Sequence, residues 1–139
     1  MAQAFLVGRI LVGGYYLMGA LHHFTNTAQM ARFAGMHGVP APELAVVVAG
    51  VLLLVGGLSL LLGAFPRIGV AAIVLFLVPV TLTMHAFWTD SDPMMRQADI
   101  INFTKNIGLL GSTLMFLAVP RPWPYSVERR LHLPVRAPV

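Results

Sequence analysis

Residues 44–65 read LAVVVAGVLLLVGGLSLLLGAF, an apolar run without a single charge. About twenty such residues cross the hydrocarbon core of a bilayer. A helix satisfies its backbone amides and carbonyls within its own segment, so this run predicts a transmembrane helix. Ala45/Ala49 and Ser59/Gly63 are small residues four apart, and Gly56-Gly57 sits mid-run. Such positions let a neighbouring helix approach closely.

Three further spans flank this one. Ala4 to Phe24 is the first, with Arg9 near enough to its end to snorkel to the interface. No basic segment precedes its apolar core and no small-residue cleavage site follows it. It therefore reads as a retained helix, not a signal peptide. Gly13, Gly14 and Gly19 offer close packing or are simply glycines of a membrane helix. After a tight turn at Pro66-Arg67, Ile68 to Trp88 is the third span. Pro79 lacks an amide hydrogen and displaces the Leu75 carbonyl, which predicts a kink. The fourth span runs from Asp99 or Ile100 to Val119, where Pro120-Arg121-Pro122-Trp123-Pro124 stops it. Between the first two spans, Met30, Phe33, Ala34 and His37 recur at helical spacing. They predict a short interfacial helix capped by Thr27 and ending near Gly35 or Gly38.

Composition agrees with a membrane fold. Of 139 residues, 58% are hydrophobic and 10% charged, whereas soluble domains carry about a quarter charged residues. The absence of cysteine excludes disulfides, thiol catalysis, iron–sulfur clusters and cysteine zinc sites. The net charge of +4 is scattered between apolar runs and reports orientation, not nucleic-acid binding. Arg9, Arg67, Arg121, Arg129, Arg130 and Arg136 fall on one side. Arg32, Arg96 and Lys105 fall on the other, with Glu43, Asp90, Asp92 and Asp99. This asymmetry predicts a multi-pass protein with both termini in the cytoplasm. Residues 1–119 form the four-helix domain and residues 120–139 a basic, proline-rich cytoplasmic tail. From Ser126 to His132 that tail is either a short surface helix or without structure.

One polar focus interrupts the apolar chain. Met84-His85-Ala86-Phe87-Trp88-Thr89-Asp90-Ser91-Asp92-Pro93 carries a histidine and a tryptophan into an acidic turn. Asn102-Phe103-Thr104-Lys105-Asn106 opens the next span. Thr81, His85 and Trp88 share a helix face, and Asn102, Lys105 and Asn106 share another. Helices joined by a short connection usually pack together. His22 or His23 reaches the same level from the first span. Together they predict an outer-face cavity lined by His22 or His23, His85, Trp88, Asn102, Lys105 and Asn106. Polar groups within a span are costly and tend to be functional. The bland alternatives are an interfacial anchor for Trp88 and structural hydrogen bonds for His85 and the asparagines. Lys105 is expected to point inward and pair with Asp90, Asp92 or Asp99. His22 and His23 are adjacent and point about 100° apart on a helix, and no HxxxH pair exists. No metal or haem site is expected.

The motifs His22-His23-Phe24-Thr25, Gly38-Val39-Pro40-Ala41-Pro42, Gly56-Gly57-Leu58-Ser59, Pro66-Arg67-Ile68-Gly69, Met84-His85-Ala86-Phe87-Trp88 and Asn102-Phe103-Thr104-Lys105-Asn106 resemble the DoxX family of small bacterial four-helix membrane proteins. The resemblance covers roughly residues 5 to 118. It implies a four-helix bundle in the bacterial inner membrane and an association with redox chemistry. Members include a subunit of a thiosulfate:quinone oxidoreductase and one linked to a membrane oxidoreductase complex that counters oxidative stress. Many carry a glutamate just ahead of the Gly-Gly pair, where this chain has Leu53.

The expected fold is therefore all-α: four antiparallel transmembrane helices with a short interfacial helix in the first outer loop. The expected function is that of an accessory subunit of a membrane oxidoreductase, contacting quinone at the outer polar cavity. Its partners would be membrane lipid and other membrane subunits or further copies of itself. The alternative is a small-molecule binding or transport protein that uses the same cavity. A stand-alone enzyme is disfavoured, because the chain has no cysteine, no cofactor motif and no soluble domain.

Overall fold

Pro42, Pro66 and Pro93 each open a helix. Proline suits the first helical position, where its missing amide hydrogen costs nothing and its fixed φ is already helical. The computed structural model describes residues 1–131. Within them α1 spans Ala2–Thr25, α2 Thr27–Met36, α3 Pro42–Leu62, α4 Pro66–Met84 and α5 Pro93–Met115. A 3-10 turn, Phe116–Ala118, extends α5, and the short α6 spans Val127–Arg130. Four helices are long and apolar enough to cross a membrane: α1, α3, α4, and α5 with its 3-10 extension. The expected all-α four-helix architecture, with a short helix after the first span, is the one observed.

The spanning helices pack in the order α1, α3, α4, α5, and α2 lies against α3. Glycine sets the distances. A Cβ on Gly13 would stand 2.9 Å from the Leu61 amide nitrogen and 3.0 Å from the Gly57 carbonyl of α3. A Cβ on Gly56 would collide with the Ile73 side chain of α4, and one on Gly69 with Ser59. The buried core runs through Tyr16, Ala20, Leu53, Leu60, Val70, Ile73 and Leu77 and ends on Trp123. α1 reaches α5 through one buried hydrogen bond, Tyr16 Oη to Thr113 Oγ1 at 2.7 Å.

Several boundaries differ from the sequence reading. α4 continues through Pro79 but stops at Met84, so His85 and Trp88 lie beyond the helix. The backbone of His85 has already left helical values, at φ −125° and ψ 41°. α5 begins six residues ahead of Asp99, because Asp92 caps it by accepting the amides of Met94 and Met95 at 2.9 Å. A capped proline start outweighs the hydropathy boundary. Thr27 is not the cap of α2: Asn26 holds that position, and the Thr27 hydroxyl donates back to the His23 carbonyl at 2.7 Å.

The largest correction concerns Arg9 and the tail. Arg9 does not snorkel: it is only 2% exposed. Its Nη1 donates to the Pro124 carbonyl at 3.3 Å and its Nη2 to that of Tyr125 at 3.0 Å. Residues 120–131 fold back over this end of the bundle. Trp123 packs edge-on against Phe5 of α1 at 5.2 Å and tilted against Phe116 at 5.5 Å. Glu128 is buried, accepting the Phe65 amide at 2.7 Å and two donors of Arg121. That bond holds Phe65 in the left-handed region, at φ 51°, in the turn that leads into α4. His132 and Arg136 lie outside the described residues.

Candidate functional site

At the α4–α5 connection, His85 Nδ1 lies 3.0 Å from Asp99 Oδ1. The ring comes from just past the end of α4 and the carboxylate from the second turn of α5. Their side chains keep 19% and 13% of their surface exposed, so the pair is partly buried yet reachable. A carboxylate accepting from Nδ1 selects the tautomer in which the hydrogen is on Nδ1. Nε2 is then left as an acceptor, or as a donor once the ring is protonated. Among the described residues, Nε2 of His85 makes no hydrogen bond.

Around the pair the polar residues separate by face. Asp99, Asn102 and Asn106 recur at i, i+3 and i+7 on α5, and Thr113 continues the row one heptad further. Asn106 is 6% exposed and Thr113 fully buried, so this row faces the bundle. Lys105 is off the row. It is exposed, and its Nζ donates to Asn102 Oδ1 at 2.9 Å. The expectation of an inward lysine paired with an acid is thus corrected. Of the three acids expected for it, Asp99 contacts His85, and the Lys105 ammonium bonds the Asn102 side chain one turn away instead.

Trp88 is 54% exposed and stacks edge-on with Phe87 at 5.1 Å and Phe103 at 5.9 Å. Phe103 follows Asp99 by one helical turn, so this aromatic group stands beside the pair. The first-span histidines sit elsewhere. His22 is exposed and bonds Asn26 at 3.0 Å. His23 Nδ1 approaches the Gly19 carbonyl at 2.7 Å, and its ring meets Phe76 of α4 edge-on at 5.7 Å. Phe76 precedes His85 by nine residues, roughly 13 Å of helix rise. Neither His22 nor His23 bonds to His85, Asn102, Lys105 or Asn106.

Sequence reading names Asp90 and Asp99 as candidate partners of Lys105 and misses what each does at this end. Asp99 pairs with His85, fourteen positions away across the turn. Asp90 carries a buried Oδ2 without a hydrogen-bond partner among the described residues. Nothing in its sequence context signals that burial.

No solved structure matches the chain. Among curated proteins it is similar to the inner membrane protein YphA of Escherichia coli K12, 24% identical over 125 residues that cover 90% of this chain and 88% of that protein. The family model DoxX matches residues 4–86, from the start of α1 through His85. With more than half of its length under that match and four helices able to span a bilayer, this integral membrane protein belongs to the DoxX family.

Proposed function

We propose that the protein is an accessory subunit of a membrane oxidoreductase complex and that it meets a quinone headgroup at His85. The observation that carries this reading is the 3.0 Å contact between His85 and Asp99. Asp99 orients the ring, and Nε2 is left to accept a quinol hydroxyl or to donate to a quinone carbonyl. Phe87, Trp88 and Phe103, packed edge-on to one another, supply an apolar border for such a ring. The chain has no cysteine, so iron–sulfur clusters and thiol electron carriers would belong to partner subunits. The name of the Escherichia coli relative is consistent with an inner-membrane setting and says nothing of redox chemistry.

The test is purification in mild detergent, followed by proteomics and quinone extraction. Wild-type protein is expected to bring oxidoreductase subunits and quinone with it. His85→Ala should weaken quinone retention by roughly ten-fold, the worth of one hydrogen bond to a partly buried group, with little change in thermal stability. Wild-type protein that purifies alone and free of quinone defeats the reading.

A second reading, transport of a small polar solute, is favoured by the row Asp99, Asn102, Asn106 and Thr113 along the bundle-facing side of α5. Uptake into proteoliposomes that Asn106→Leu abolishes, without any co-purifying subunit, would select it.

A further inference from the structure

The end of the bundle away from His85 carries its own chemistry. A cleft of about 450 Å³ opens between the start of α1 and the folded-back tail, lined by Ala2, Pro124, Tyr125, Ser126, Arg129 and Arg130. We propose that this cleft binds the phosphate of an acidic phospholipid from the leaflet that the tail faces.

The two arginines are exposed, and their side chains make no hydrogen bond or ion pair among the described residues. They are nevertheless held in place. Ser126 is fully buried and its Oγ caps α6 by accepting the Arg129 amide at 3.1 Å. The neighbouring Glu128 is fixed to Phe65 and Arg121. A tail tied to the bundle through Phe65, through Arg9 and through the packing of Trp123 on Phe5 presents its cations without the ordering cost of a free tail. The local charge is uncompensated. Arg9, Arg67, Arg121, Arg129 and Arg130 face a single acid, Glu128, at this end, five against one. At the other end Arg32, Arg96 and Lys105 face Glu43, Asp90, Asp92 and Asp99, three against four. Arg9 adds to the field of the cleft directly, because its guanidinium bonds the carbonyls of Pro124 and Tyr125, two of the lining residues.

The surroundings select a lipid over a soluble anion. Phe65, Ile68, Tyr125 and Leu131 are exposed at the same end. Aromatic and aliphatic side chains beside arginines match the boundary between headgroups and acyl chains. A phosphate bound here therefore has a place for the chains attached to it.

The experiment is native mass spectrometry of the detergent-solubilised full chain, titrated with phosphatidylglycerol and phosphatidylcholine of equal chain length. Wild type is expected to retain phosphatidylglycerol preferentially. Removing each cation should reduce that preference roughly five-fold, in Arg129→Gln and further in Arg129→Gln/Arg130→Gln. Arg32→Gln/Arg96→Gln, at the opposite end, should retain the full preference. Should the tail variants fold poorly, a salt titration of wild type gives the same reading, because the preference must fall as ionic strength rises. Equal retention of both lipids by wild type overturns the proposal. So does a preference that the tail variants keep, or one that the opposite-end variant loses equally. Displacement of the lipid by millimolar inorganic phosphate alone would make this a soluble-anion site and overturn the lipid assignment.

Discussion

Glu128 has 2% of its surface exposed, yet it is an acid, and its three donors explain why it tolerates that burial. Removing one partner of a buried charge pair costs about 3–5 kcal/mol. Arg121 keeps 18% of its side chain exposed and recovers some hydration. Glu128→Ala is accordingly expected to destabilise the protein by about 2–3 kcal/mol. Glu128→Gln should cost less, because its amide oxygen still accepts the Phe65 amide. Chemical unfolding in detergent measures both, and equal losses would mean that the Phe65 bond contributes nothing. Arg9 is the complementary residue. Arg9→Met keeps the length of the side chain but gives up the bonds to Pro124 and Tyr125. The tail is then expected to open, read as faster tryptic cleavage after Arg129 and Arg130. Sequence could not show this contact. Hydropathy treats Arg9 as a lone charge near a helix end, and its acceptors lie 115 and 116 positions away. His85 is legible as a polar group at the edge of a span, while its contact with Asp99 depends on where α4 stops.

The helices test their own packing through paired glycines. Gly13 and Gly14 are neighbours in α1, but only Gly13 faces α3, where backbone atoms of Leu61 and Gly57 leave no room for a Cβ. Backbone cannot yield as a flexible side chain does, so Gly13→Ala must push the helices apart. We expect a loss of about 1–3 kcal/mol, the scale of overpacking in a tight interface. Gly14 has nothing within 4 Å of its would-be Cβ. Gly14→Ala should be neutral or stabilising by up to about 1 kcal/mol, from helix propensity. Thermal unfolding of the two variants side by side decides the point, and equal effects would mean that α1 and α3 do not approach as described. The same helices show which boundaries a sequence can give. Interior residues of each span were legible from hydropathy, which is a property of each side chain alone. The starts at Pro42 and Pro66 lie two residues ahead of the hydropathy boundary and that at Pro93 six or seven, because a proline outside the apolar run can still be the first helical residue.

Across the whole molecule, the four spans and their order followed from one-dimensional signals, and the closure of one end by the tail did not. Trp123 reads as an interfacial anchor beside three prolines, yet it completes the core together with Phe5 and Phe116. That role exists only once segments more than a hundred residues apart have met. Charge, by contrast, is global and was readable. Among residues 1–131 five basic residues lie at the tail end and three at the His85 end. Basic residues are retained on the cytoplasmic side, so the tail and the start of α1 are expected to face the cytoplasm. The chain has no cysteine, and a single introduced thiol therefore reports one position. Ser91 is exposed in the α4–α5 connection and suits one reporter. Ser126 is fully buried and unsuitable, whereas Leu131 is exposed next to α6. In intact cells a membrane-impermeant thiol reagent should label Ser91→Cys and spare Leu131→Cys until the membrane is permeabilised. The reverse pattern would turn the molecule over: His85 and Asp99 would then exchange protons with the cytoplasm, and the arginine cleft would face the outer leaflet.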